Sequence, residues 1–298
     1  MLANNNEAII NKLAKNSVKT NKKQYAILFF TIILSAFMLF CVFTIGMTYL
    51  NSSRLQNTRL NGAEYDIVTM NGFTSEQLNT LQQNENIRSV GIESYAGFIQ
   101  STEYDKTVEI GLLWCDEVFW DNLMSPARTK LDGHYPQNKN ELMVTKDILK
   151  TCGNENLSVG DSLILTYENN TGVYTDEFVI SGIWDGYGDT SAGFVSKAFY
   201  DETGYDLKNN GILCIKLNCN YVFPTTIQSI EKSLDFSDRQ IFAPTGYIEN
   251  SFKLLLGICG LALVICLSAY LLIYNILYLS VSGKIRYYGL LQSLGRSE

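Results

Sequence analysis

One histidine, seven cysteines and a few acidic pairs are the residues of this 298-residue chain with the means to do chemistry. His134 stands in the loop sequence GHYP with no serine or cysteine nucleophile motif beside it, so it reads as surface structure and not as a general base. Asp116 and Glu117, like Asp176 and Glu177, are adjacent in sequence. They lack the alternating spacing of a calcium loop and read as solvated faces. The glycine-rich stretch GYGDTSAG at 186–193 has no strand, turn and helix around it to cradle a phosphate, and no GxxxxGK[ST] sequence occurs, so the chain carries no nucleotide-hydrolysing loop. No catalytic residue, cofactor or metal site is assigned, and the chain is not expected to be an enzyme.

The cysteines divide by place. Cys41, Cys259 and Cys266 fall in long apolar runs, whereas Cys115, Cys152, Cys214 and Cys219 lie between those runs. In an oxidising compartment four cysteines can form two bridges; equally they can serve as small buried apolar side chains. Cys214 and Cys219, five apart in what reads as one strand, point to opposite faces and are poorly placed to pair.

The elements that must position these residues begin with the apolar runs. Between Lys23 and Arg54, and again between Lys253 and Lys284, 30 residues pass without a charge. About 20 apolar residues cross a bilayer, so residues 25–50 and 254–281 are expected to be transmembrane helices. The first run is too long for a cleaved leader, and no small-x-small site follows it. Neither span holds a charge that would mark an ion path. Tyr270, Tyr274 and Tyr278 make a stripe on the second, for packing or for contact with other spans.

Charge sets the topology. The net charge of −7 argues against a nucleic-acid partner, and it is unevenly spread. Residues 1–24 carry five lysines against one glutamate, while residues 51–253 carry 15 Lys and Arg against 28 Asp and Glu. Basic flanks stay on the cytoplasmic side, so both termini are expected inside and the acidic middle outside, in a multi-pass protein of the plasma membrane. Residues 1–24 read as a basic amphipathic helix, with Ile9, Ile10, Leu13, Ala14 and Val18 on one face, or as a solvated tail; the helix would lie on membrane lipid.

Residues 51–253 read as an α+β domain. AEYDIVTM alternates as a strand, Thr74 and Gln77 form a capping box for the helix that follows, and IRSVGIESYAGFI completes a β-α-β unit. A second unit runs from GILCIKL through the helix opened by Pro224 to RQIFAP. Between them residues of about 105–205 form a strand-rich insertion: TVEIGLLW, ELMV, DSLILTY and DEFVISGIW, with short helices near 116–123, 146–152 and 196–203. The expected fold is thus two transmembrane α-helices flanking an extracytoplasmic α+β domain built of two β-α-β units with an inserted lobe.

Within that insertion, "G-x-x-P … N-E" occurs at Gly133, Pro136, Asn140 and Glu141, "V-G-D" at Val159, Gly160 and Asp161, and "F-x-I-x-G-I" at Phe178, Ile180, Gly182 and Ile183. These turns and strands resemble the outer domain of bacterial ABC transporter permeases of the MacB/FtsX group. The tail at 282–298 is similar to that group's cytoplasmic segment after its second span, through Lys284, Ile285, Arg286, Tyr288, Gly289, Leu290, Leu291, Leu294 and Gly295. The resemblance implies that these nine residues begin a coupling segment that touches a separate ATPase subunit. It also implies a second permease copy or partner permease, and further spans beyond this segment, so that the chain reads as an amino-terminal fragment. The competing reading is a two-span receptor with an outer sensing domain, which would place heptads after the second span; a glycine-interrupted pattern stands there instead.

Overall fold

The computed structural model describes residues 11–12, 15–16, 19–100, 110–187, 192–282 and 289. In chain order the elements are α1 (Lys22–Asn61), β1 (Ile67–Met70), α2 (Ser75–Gln82), β2 (Ile87–Ile99), β3 (Ile110–Cys115), a π-helical segment (Val118–Leu123), β4 (Arg128–Gly133), β5 (Glu141–Thr145), α3 (Lys146–Thr151), β6 (Ser162–Asn169), β7 (Gly172–Gly186), β8 (Ala192–Val195), α4 (Lys197–Tyr200), α5 (Leu207–Asn210), β9 (Ile212–Leu217), α6 (Pro224–Lys232), β10 (Ile241–Pro244) and α7 (Gly246–Ser282). They divide into a helical unit, Met1–Tyr49 with Leu254–Glu298, and an α/β unit, Leu50–Lys253.

In the helical unit, α1 and α7 leave their apolar side chains uncovered. Phe29, Phe30, Phe37 and Phe40 on α1, and Leu263, Val264, Leu267 and Leu271 on α7, are all exposed. A core helix of a soluble protein buries such residues; helices apolar all round and uncovered belong in hydrocarbon. The two form an antiparallel pair. A Cβ on Gly46 would lie 2.7 Å from Ile258 Cδ1, and at the other end Tyr25 and Leu28 meet Ile276 and Leu277. A small residue at such a point lets two backbones approach. Before α1, Asn11, Lys12, Lys15, Asn16, Lys19 and Thr20 are helical and exposed; the five apolar residues expected to share a face there lie outside the described residues.

Both helices outrun the expected spans. α1 continues as SSRLQNTRLN, which contains no glycine or proline, and stops where Gly62 takes φ +69°, a left-handed conformation that ends helices. α7 starts at Gly246, where Thr245 Oγ1 accepts a hydrogen bond from Ile248 N at 3.4 Å.

The two β-α-β units interleave. Strand order in this half is β10-β1-β9-β2, each neighbour pair antiparallel, so β1 and β2 flank β9 while α2 and α6 make the crossovers. Alternation along the strands gives two faces. Ile67, Leu213, Ile215 and Leu217 pack under Leu81 of α2 and Ile227 and Ile230 of α6; Val68 and Cys214 face the other way. The capping box is present: Gln77 N donates to Thr74 Oγ1 at 3.1 Å, and Thr74 N donates to Gln77 Oε1 at 2.9 Å.

The strand-rich insertion shares β2 with this half. β2 is 13 residues long and shifts register between Tyr95 and Gly97; beyond the shift it pairs with both β3 and β6. From β3 the ladder runs through β8, β5 and β7 to β6 and so back to β2, a closed ring of six strands. Leu112, Leu142, Leu163, Phe178 and Ile180 fill it, and Ile148 and Leu149 of α3 with Phe199 of α4 join the same core. Two strands depart from expectation. β4 is an edge strand whose positions are almost all exposed, so it shows no apolar alternation, and β8 takes up the end of the glycine-rich stretch read as loop. Cys219 lies past the end of β9, not in it.

Candidate functional site

Of the nine residues in the expected coupling segment, Gly289 is described, and it is helical and exposed. Lys284, Ile285, Arg286, Tyr288, Leu290, Leu291, Leu294 and Gly295 lie outside the described residues.

The motif residues of the insertion meet on one ladder, and their chemistry is structural. Gly133 pairs with Gly182 across β4 and β7; it holds φ +89°, and a Cβ there would stand 2.2 Å from Ser181 O. Only glycine fits that approach. Glu141 Oε2 accepts from Gln137 N at 2.7 Å and Asn138 N at 3.1 Å, and Oε1 accepts from Asn138 Nδ2 at 2.7 Å, closing the turn after Pro136. Slight burial raises the Glu141 pKa, but these donors and the charge of His134 outweigh it and hold the carboxyl below its usual range. Asp161 Oδ2 accepts from Ser158 N at 2.8 Å, while Gly160 N donates to Ile180 O and Ile180 N to Asp161 O, binding this turn to β7. Phe178 and Ile180 then enter the core of the ring.

A cavity of about 820 Å³ opens on the face of the interleaved half opposite α2 and α6. At Gly91 of β2 a Cβ would fall 2.8 Å from Leu123 Cδ1 and 2.9 Å from Phe119 Cα, so the π-helical segment lies flat on the strand because this residue has no side chain. Asp116 Oδ1 fastens its start, accepting from Phe119 N at 2.8 Å and Ile92 N at 3.0 Å, and Glu64 N donates to Leu123 O at 2.6 Å, bringing the end of α1 across. Two residues past Gly91, Glu93 stands between Cys115 of β3 and Ile212 of β9 and lines the cavity. Tyr95, Phe98, Phe119, Trp184, Tyr187 and Phe194 supply aromatic wall, and Arg59 of α1 lies with its guanidinium 4.1 Å from the Tyr187 ring centre.

Burial pushes the Glu93 carboxyl up to about 7. Its surface is half-buried, reached through the cavity. Among the described residues nothing hydrogen-bonds or ion-pairs with that carboxyl. The titratable groups facing it are Tyr65, Cys115, Tyr135 and Cys214, each raised by burial, with the Glu93 charge adding to the rise. Arg59 Nε and Trp184 Nε1, both on cavity-lining residues, are buried without a hydrogen-bond partner among the described residues.

On the same face Lys216 Nζ lies 3.1 Å from Asp66 Oδ2 and 3.2 Å from Glu64 Oε1, and Asp66 Oδ2 also accepts from Leu217 N at 2.9 Å. Burial still raises the Asp66 pKa against the pull of Lys216. Asp66 O accepts from Thr245 N at 2.8 Å, so this cluster ties β1 and β9 to the start of α7.

His134 is exposed, with Nδ1 3.0 Å from Tyr135 O. Cys115, Cys152 and Cys214 are buried free thiols and Cys219 is an exposed one. Tyr270, Tyr274 and Tyr278 stack along α7 at 6.2 and 6.1 Å.

No family model matches the sequence, and no curated protein is similar to it in sequence. Among solved structures the chain is similar to the periplasmic region of MacB from Actinobacillus actinomycetemcomitans, at 12% identity and a TM-score of 0.42 over 65% of this chain and 95% of that one. It is also similar to the extracellular domain of the noncanonic ABC-type transporter YknZ from Gram-positive bacteria, at 12% identity and a TM-score of 0.39 over 60% of this chain and 98% of that one.

Proposed function

We propose that this chain is a permease subunit, or part of one, of an ABC transporter of the MacB/FtsX group, and that it works with ATP hydrolysed by a separate subunit. The observation that carries the reading is the convergence of the quoted motifs. Gly133, Glu141, Val159 to Asp161 and Phe178 to Ile183 are scattered over about fifty residues of sequence, yet all close on β7 and its neighbours. The pair of uncovered apolar helices supports a membrane protein, and the lysine distribution supports termini on the cytoplasmic side.

In this reading the partner ATPase draws two permease copies together, and the movement passes along α1 and α7. Each helix contributes residues to both the helical unit and the α/β unit, which makes it the covalent route for such a movement. The β1–β10 pairing and the Lys216 cluster hold the two helix roots to one sheet. The segment at 284–295 would lie at the inner surface of the bilayer and meet the ATPase through Leu290 and Leu291, with basic Lys284 and Arg286 toward lipid headgroups.

The test is recovery of the partner. Tagged full-length chain, purified from its own membranes in mild detergent, is expected to bring with it an ATP-hydrolysing subunit. The triple substitution G289D/L290D/L291D should insert at the same level and lose that activity; undiminished recovery would remove the coupling role.

A further inference from the structure

We infer that the cavity beside Glu93 is a binding site for a small organic cation with an apolar body, seated between the Glu93 carboxylate and the aromatic rings of the wall. Its volume of about 820 Å³ lies within the roughly 300–1,000 Å³ of small-molecule sites. The wall is aromatic to an unusual degree, and ring faces attract cations within about 6 Å, Tyr and Trp more than Phe. Tyr95 and Phe98 stack at 5.3 Å and make one aromatic plate at the strand position paired with Gly111.

Charge decides the class of ligand. Among the described residues the cavity is lined by one acid and one base, Glu93 and Arg59. Arg59 already has an aromatic partner in Tyr187, whereas nothing among the described residues hydrogen-bonds or ion-pairs with Glu93. A carboxylate in a desolvated place without a counter-ion is costly, and a cation delivered by a ligand removes that cost. The surrounding segment agrees in sign, since residues 51–253 carry 28 acidic against 15 basic side chains. An anionic ligand would add a second negative charge beside the acid, and a neutral one would bring no counter-charge to it.

The inference stands apart from the permease reading, and its failure would leave that reading untouched. The test uses full-length chain in lipid nanodiscs, with empty nanodiscs as reference, and three probes of one shape at pH 8: benzyltrimethylammonium, its neutral isostere neopentylbenzene, and phenylmethanesulfonate. Binding is read by calorimetry and by quenching of tryptophan fluorescence, Trp184 being in the wall. The cation should bind most tightly and lose at least tenfold in affinity with Glu93→Gln, while the neutral probe is unaffected by that change. Tyr95→Leu, which keeps an apolar side chain and removes a ring face, should weaken the cation several-fold. Equal affinity of the cation for Glu93→Gln, tighter binding of the anion, or no saturable binding of any probe would each overturn the site.

Discussion

Replacing Glu93 by Gln should stabilise the protein, and by an amount that depends on pH. The carboxyl is raised from 4.5 to about 7 by burial. Because the folded-state value lies above the unfolded one, the fold prefers the protonated form. The group therefore costs nothing below the unfolded value, costs progressively more between about pH 4.5 and 7, and levels off above. At 1.36 kcal/mol per pK unit the full difference is roughly 3 kcal/mol; water reaching the carboxyl through the cavity reduces it to about 1–2 kcal/mol. Glutamine keeps the shape without the charge. In thermal unfolding of the full chain followed by tryptophan fluorescence, wild type and Glu93→Gln should coincide at pH 4.5. At pH 8 the variant should melt higher by about 2–8 °C, taking 2–4 °C per kcal/mol for a domain of this size. A variant that melts lower than wild type at pH 8, or one whose advantage is the same at both pH values, would refute an uncompensated carboxylate at this position.

Three further substitutions probe the frame. Gly133→Ala places a methyl 2.2 Å from Ser181 O on a backbone at φ +89°, and strain of about 1–3 kcal/mol plus the clash should lower the melting temperature by at least 5 °C. Gly46→Ile drives a branched side chain into Ile258; overpacking of about 1–3 kcal/mol should part the helix pair and abolish short-reagent crosslinking between Leu28→Cys and Leu277→Cys. Lys216→Met leaves Asp66 buried without its counter-ion and should cost about 3–5 kcal/mol, partly restored by adding Asp66→Asn, as thermal unfolding of the single and double variants will show.

Local signals were legible because local physics sets them. The Thr74–Gln77 box needs three residues of sequence, and Pro224 at the first turn of α6 needs one, so both helices stand where the pattern puts them. The sheet's closure is different in kind. It depends on Phe98 and Ile99 meeting Glu168 and Tyr167, a pairing across about 70 residues that no alternation records, and it makes the insertion part of the same ladder as the β-α-β units. β4 carries no signal in the sequence because an edge strand open to solvent need not alternate. Glu93 is hidden in the sequence for a related reason: in IRSVGIESYAGFI it occupies a polar position of an alternating strand and looks solvated. Only Gly91 hints otherwise, because a glycine inside a strand marks close approach, here of the π-helical segment that walls the cavity.

Sidedness tests the account most directly. Cys219 is an exposed free thiol of the α/β unit, whereas Cys115, Cys152 and Cys214 are buried. A membrane-impermeant maleimide applied to intact cells is expected to label Cys219, and to label Lys12→Cys in a Cys219→Ser background only after the membrane is opened. Labelling of position 12 on intact cells, or a Cys219 that stays silent until they are permeabilised, would contradict a chain whose ends face the cytoplasm while its α/β unit stands outside.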